Sequence, residues 1–165
     1  MEEVSISLVV GIFITLLLSA FFSGMEIAFV SSNRMLAEMD KGSSKLTRRL
    51  QTFFYKNPND FVSTMLVGNN IVLVVYGIFV ARLLDNTIFK GLDPAISVTA
   101  DTILSTLVVL FTGEFLPKTL FKSNPNKFFS FFVFPAYLFY LLLWPVSRFS
   151  TLLSKILLKI SGVKV

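Results

Sequence analysis

The chain has 165 residues, of which 54% are hydrophobic, 19 are Phe and only 15% are charged, with a formal net charge of +5. Soluble domains carry roughly a quarter charged residues, so this composition belongs to the membrane class. Cys and His are both absent, which excludes disulfides, zinc and haem ligation, thiol nucleophiles and every His-based acid–base mechanism, and leaves only oxygen ligands for any metal.

Val4 to Phe22 is an almost unbroken apolar run, close to the ~20 residues a bilayer span needs. It follows Glu2-Glu3 rather than a basic segment, so it does not read as a cleavable signal peptide. The run continues through Ser23-Gly24-Met25-Glu26 to about residue 30. Ser23 and Gly24 are small residues that let helices pack closely. Glu26 is an acid in an apolar setting and has no such bland explanation.

Residues 31–59 carry Arg34, Lys41, Lys45, Arg48, Arg49 and Lys56 against Glu38 and Asp40. Gly42 separates two short helices in this reading. The second sets Leu46, Leu50, Phe53 and Phe54 at helical spacing opposite basic residues, as in a helix lying in the headgroup plane. A short, strongly basic loop belongs on the cytoplasmic side, which puts the amino terminus outside. The basic residues flank apolar runs, so topology explains the charge better than nucleic acid does.

Asn57-Pro58-Asn59 starts a second span over about residues 61–84. Inside it, Gly68-Asn69-Asn70 places two adjacent amides that need partners; interhelical hydrogen bonding at about 1 kcal/mol each is the ordinary use for them. A short outer loop ends at Gly91-Leu92-Asp93-Pro94. The third span, over about residues 96–121, begins near Asp101 and ends on Thr112-Gly113-Glu114-Phe115-Leu116-Pro117-Lys118. Asp101 reads as an interfacial, solvated acid. Glu114 is different: an intramembrane carboxylate costs a few kcal/mol and usually marks an ion or proton pathway. Gly113 admits a close backbone and Pro117 lacks an N–H, so a broken or kinked helix with free carbonyls is expected there. The ordinary alternative is a wetted helix end, with Glu114 paired to Lys118 four residues on.

Residues 125–162 are apolar and Phe-rich, but Pro135 and Pro145 interrupt them. A full fourth span would carry Arg148, Lys155, Lys159 and Lys164 outside, against the positive-inside rule. The sequence therefore predicts a re-entrant or juxtamembrane hairpin whose second limb is amphipathic, with Phe149, Leu152, Leu153, Ile156, Leu157 and Ile160 on one side. The expected class is an all-α membrane protein with three transmembrane helices, one such hairpin and the amino terminus outside.

Counted from the cytoplasmic basic residues at about 1.5 Å per residue, Ser23 lies roughly 16 Å deep, Asn70 roughly 21 Å and Glu114 roughly 12 Å. Three spans thus carry oxygen-bearing defects at similar depth, each beside a glycine (Gly24, Gly68, Gly113). A shared cation site follows, for Mg²⁺, Ca²⁺ or Na⁺, with proton transfer through Glu114 and Glu26 also open. Glu26, Ser63 and Thr112 are candidates for the ion path.

Phe22-Ser23-Gly24-Met25-Glu26-Ile27-Ala28, Val67-Gly68-Asn69-Asn70 and Gly113-Glu114-Phe115-Leu116-Pro117-Lys118, in that order, resemble the transmembrane domain of the CorC/cyclin M (CNNM) family of magnesium transporters. The resemblance implies three spans and a juxtamembrane hairpin per subunit, and a multi-pass homodimer in the plasma (inner) membrane, in contact with lipid. It also implies a dehydrated Mg²⁺ between the spans, with export coupled to Na⁺ entry. Ser23, Asn69, Asn70 and Glu114, with the Gly113 carbonyl, are the implied metal ligands, and a cytosolic CBS-pair domain is implied beyond this segment. Many members carry a further Asn three residues after the second of the pair, where this chain has Leu73. The competing expectation is a membrane anchor and dimerisation module without transport. An enzyme is not expected, because no nucleophile–base pair or cofactor motif occurs.

Overall fold

A computed structural model describes residues 2–33, 35 and 45–162. These form α1 (Glu2–Ser31), α2 (Lys45–Lys56), α3 (Pro58–Asn86), α4 (Pro94–Val109), a π-turn (Leu110–Phe115), α5 (Leu116–Ser123) and α6 (Pro125–Ile160). No strand occurs among the described residues. The first of the two helices expected around Gly42 falls outside them. Pro58, Pro94 and Pro125 open α3, α4 and α6, a position where the missing N–H leaves no helical bond unmade.

Four helices are long and apolar enough to cross a membrane: Ser5–Ser31, Pro58–Asn86, Pro94–Ser123 and Pro125–Ile160. The hairpin expected over 125–162 is instead one helix of 36 residues with Pro135 and Pro145 inside it. Each proline removes one backbone bond, but an apolar helix packed among others keeps the rest of its ladder, because no water competes for it.

α1 and α3 run antiparallel. The start of α1 meets the end of α3, where a β-carbon on Gly11 would stand 2.8 Å from Phe79. Farther along, the Phe22 ring sits over Gly68, where a β-carbon would be only 2.7 Å away. Phe29 then packs on Phe61, with ring centroids 4.5 Å apart. This basic end of the bundle, near Lys56 and Lys122, holds most of the core. Phe54, Phe61, Met65, Phe129 and Val133 are completely buried there. Phe54 of α2 packs edge-on against Phe61 at 4.7 Å and Tyr140 at 5.6 Å. At the far end, near the loop between α3 and α4, a smaller cluster comprises Tyr76, Val80 and Leu84, and the Tyr76 hydroxyl donates to Ser105 O at 3.0 Å.

Candidate functional site

Thr15, Ser19 and Ser23 recur every fourth residue, so they share one face of α1, and all three are buried. Ser19 Oγ donates to Asn69 Oδ1 of α3 at 2.7 Å. Ser23 Oγ lies 2.6 Å from Ser19 O and 2.9 Å from Gly113 O. Its single proton is shared between two carbonyls. Gly113 has its carbonyl there because Pro117, four residues on, has no N–H to bond it. The fit at Gly113 is also tight: a β-carbon would stand 3.0 Å from both Ser19 Oγ and Val109 Cγ2, so those side chains would have to give way to a larger residue.

The break expected at Gly113–Pro117 takes the form of the π-turn. The wider turn lets Leu116 N–H bond Phe111 O, five residues back, and absorbs the extra residue without ending the helix. It sets Gly113 against α1 and leaves Glu114 half-buried beside it. Among the described residues the Glu114 carboxylate has no hydrogen-bond or ion-pair partner, so the alternative pairing with Lys118 is not made. Glu26, one turn beyond Ser23, is half-buried within the electrostatic field of both Lys118 and Glu114.

Ser23, Asn69, Gly113 and Glu114 therefore come from three separate helical segments to one place. Asn70 makes no hydrogen bond to them: it is exposed, because neighbouring helical residues point about 100° apart and Asn69 takes the direction that faces α1. Thr112 is also exposed, and its hydroxyl donates to Val108 O at 2.7 Å. Ser63 is half-buried and lies 3.3 Å from Ser147 of α6, away from the cluster. Ser19, which is fully buried, was not singled out from the sequence. Its four-residue spacing from Ser23 was the available signal.

The chemistry of this junction is that of neutral oxygen. Two hydroxyls, one amide oxygen and two backbone carbonyls converge, and hydroxyls that give away their protons still present lone pairs. No group of three or more acidic, His or Cys side chains that could hold a metal occurs among the described residues. A cation here would rest on those neutral oxygens with Glu114, and Glu26 nearby, for charge.

A family model for the cyclin M transmembrane N-terminal domain matches residues 10–165. The chain is 28% identical over 155 residues to the UPF0053 protein MG146 homolog of Mycoplasma pneumoniae, which covers 88% of this chain and 35% of that protein. To the UPF0053 inner membrane protein YfjD of Escherichia coli it is 29% identical over 151 residues, 89% of this chain and 33% of the relative. To a UPF0053 protein of Haemophilus influenzae it is 31% identical over 174 aligned positions, 99% of this chain and 38% of the relative. The chain thus spans about a third of the length of these relatives.

Proposed function

The chain belongs to the cyclin M transmembrane family, and from that premise we propose that it carries Mg²⁺ across the membrane between α1, α3 and the π-turn. It is a multi-pass membrane protein, and in this reading it resides in the plasma membrane. The observation that supports transport most is the convergence of Ser23, Asn69 and Gly113 beside Glu114, a carboxylate without a partner. Ser23 Oγ, Asn69 Oδ1 and Gly113 O supply dipoles, and Glu114 supplies charge to a largely dehydrated ion. Asn70 is left out of the ligand set of one subunit. Na⁺ entry is the coupling reaction, a homodimer is the working assembly, and a CBS-pair domain is the regulatory partner in this reading.

The test is thermal stability in detergent over a Mg²⁺ titration. A ligand that binds only the folded state stabilises it in proportion to the logarithm of its concentration over Kd. Glu114→Gln keeps the shape and removes the charge, so Mg²⁺ affinity should fall by several kcal/mol, about a hundredfold or more. An unchanged Mg²⁺ response would remove Glu114 from the site and most of the transport reading with it.

A second reading has its own support. Ser19 and Asn69 are already paired, and Ser23 already has acceptors, as helix-joining polar groups in an anchor would be. That reading expects no Mg²⁺-dependent stabilisation of the wild type.

The proposed topology is three crossings, with α6 lying along the basic, cytoplasmic end. The contacts of α6 support it. Asn126 bonds the backbone of Asn33 at 3.0 and 2.8 Å, Phe129 packs on Phe29, and Tyr140 packs on Phe54. Ser147 then meets Ser63, near the start of α3. A helix crossing beside α3 would instead advance toward Tyr76. Single-Cys labelling is clean in a chain without Cys: positions Lys45 and Lys159 should both be protected from an impermeant reagent added outside cells. Labelling at Lys159 alone would establish a fourth crossing.

A further inference from the structure

The far end of the bundle holds a second acidic junction. Asp85 is in the last turn of α3 and Asp101 is in the second turn of α4. Asp101 is only 5% exposed, and its carboxyl lies against that of Asp85 within hydrogen-bonding reach. Its Oδ1 is buried without a hydrogen-bond partner, while Ser97 Oγ donates to Asp85 Oδ1. Neither carboxyl has a cationic partner among the described residues. Both line a cleft of about 200 Å³ together with Gly77, Thr102 and Ser105. A second cleft of about 230 Å³ continues past Asp85 and Ser97 toward the α3–α4 loop.

Two carboxyls in contact cannot both stay charged unless something positive joins them. The cleft has room for an ion that keeps several waters, at about 30 Å³ per water. One or two carboxylates plus waters is the ligand set that Mg²⁺ takes, and Ca²⁺ accepts it too. The Thr102 and Ser105 hydroxyls already donate to backbone carbonyls, so they face the cleft as acceptors.

We propose that Asp85 and Asp101, with Ser97 beside them, form a second divalent-cation site, in which a partly hydrated ion bridges α3 and α4. Thirteen residues separate Asp101 from Glu114 along one helical rod, about 20 Å, so the two sites are distinct. The second site holds whether or not Glu114 binds Mg²⁺.

Calorimetric titration of the detergent-solubilised chain with Ca²⁺ and with Mg²⁺ tests it, comparing wild type with Asp101→Asn, Asp85→Asn and Glu114→Gln. Either aspartate variant should lose one bound divalent ion per chain, or bind it at least tenfold more weakly. Glu114→Gln should keep that ion. Asp101→Asn should fold, because it keeps the side-chain shape and removes a buried acid; Asp85→Asn gives the same reading should it not. Unchanged stoichiometry and affinity in both aspartate variants overturn the site, as does a carboxyl pair that only takes up a proton and leaves divalent binding unaltered. Failure of the Glu114 reading looks different, since Glu114→Gln would then match wild type in every titration while the aspartate variants still lost their ion.

Discussion

The two ends of this bundle are held by different forces. At the basic end, rings from α1, α2, α3 and α6 interlock: Phe29 meets Phe61, Tyr55 and Phe129, and Phe54 meets Phe61, Tyr137 and Tyr140. At the far end the buried apolar anchors among the described residues are few, Leu8, Tyr76, Val80 and Leu84, and hydroxyl and carboxyl contacts do much of the rest. Lipid tails are as apolar as any side chain, so burial by itself joins no helices; packing and hydrogen bonds do. The aromatic end has abundant close packing and the far end little. Local opening is expected to begin at the far end, around Asp85 and Asp101, while the basic end stays closed.

The largest test of that contrast is to take one anchor from each end. Phe129 is completely buried, with three aromatic neighbours on α1, α2 and α3. In a soluble core Phe→Ala costs about 3–5 kcal/mol. Here the transfer part of that cost is largely missing, because the unfolded segment stays in detergent or lipid, and about 2 kcal/mol is expected. Val80→Ala at the far end removes less volume from a thinner cluster and should cost under about 1 kcal/mol by the same reasoning. Denaturation of both variants in one detergent measures the difference. Equal losses would remove the distinction between the ends.

How much of this was legible in the sequence follows from the range of each interaction. Ser23, Gly68, Asn69, Gly113 and Glu114 stood out because polar and small residues interrupt otherwise apolar runs, and composition alone reveals that. The contact of Ser23 with the Gly113 carbonyl joins residues ninety apart, and no local pattern encodes it. Gly113 and Pro117 did signal a departure from the α-helix, but a π-turn and a break have the same sequence signature. Ser19 was hidden because a hydroxyl in an apolar helix ordinarily bonds back to its own turn, as Thr15 does to Gly11 O and Ile12 O at 2.9 Å. Pro135 and Pro145 read as breaks by a rule drawn from helices in water. In α6 the remaining backbone bonds hold the helix across both.

The choice between Asn69 and Asn70 was the finest distinction, and the triplet could not make it. Two adjacent amides differ only in helical phase, and phase depends on which side of α3 faces α1. Asn69 faces it and accepts the Ser19 proton; Asn70 does not. Asn69→Ala leaves the buried Ser19 hydroxyl without its acceptor, and Ser19 can recover part of the loss by bonding back into its own helix. Hydrogen bonds between membrane helices average about 0.6 kcal/mol in double-mutant cycles, so a loss near 1 kcal/mol is expected for Asn69→Ala. Asn70→Ala should stay within about 0.5 kcal/mol, as exposed substitutions do. The double variant Ser19→Ala/Asn69→Ala should lose less than the two single variants summed, because either substitution alone already breaks the pair. Additive losses would mean that the Ser19–Asn69 bond contributes nothing to the junction between α1 and α3. An Asn70→Ala loss as large as that of Asn69→Ala would mean that the exposed face of α3 is covered in the assembled protein.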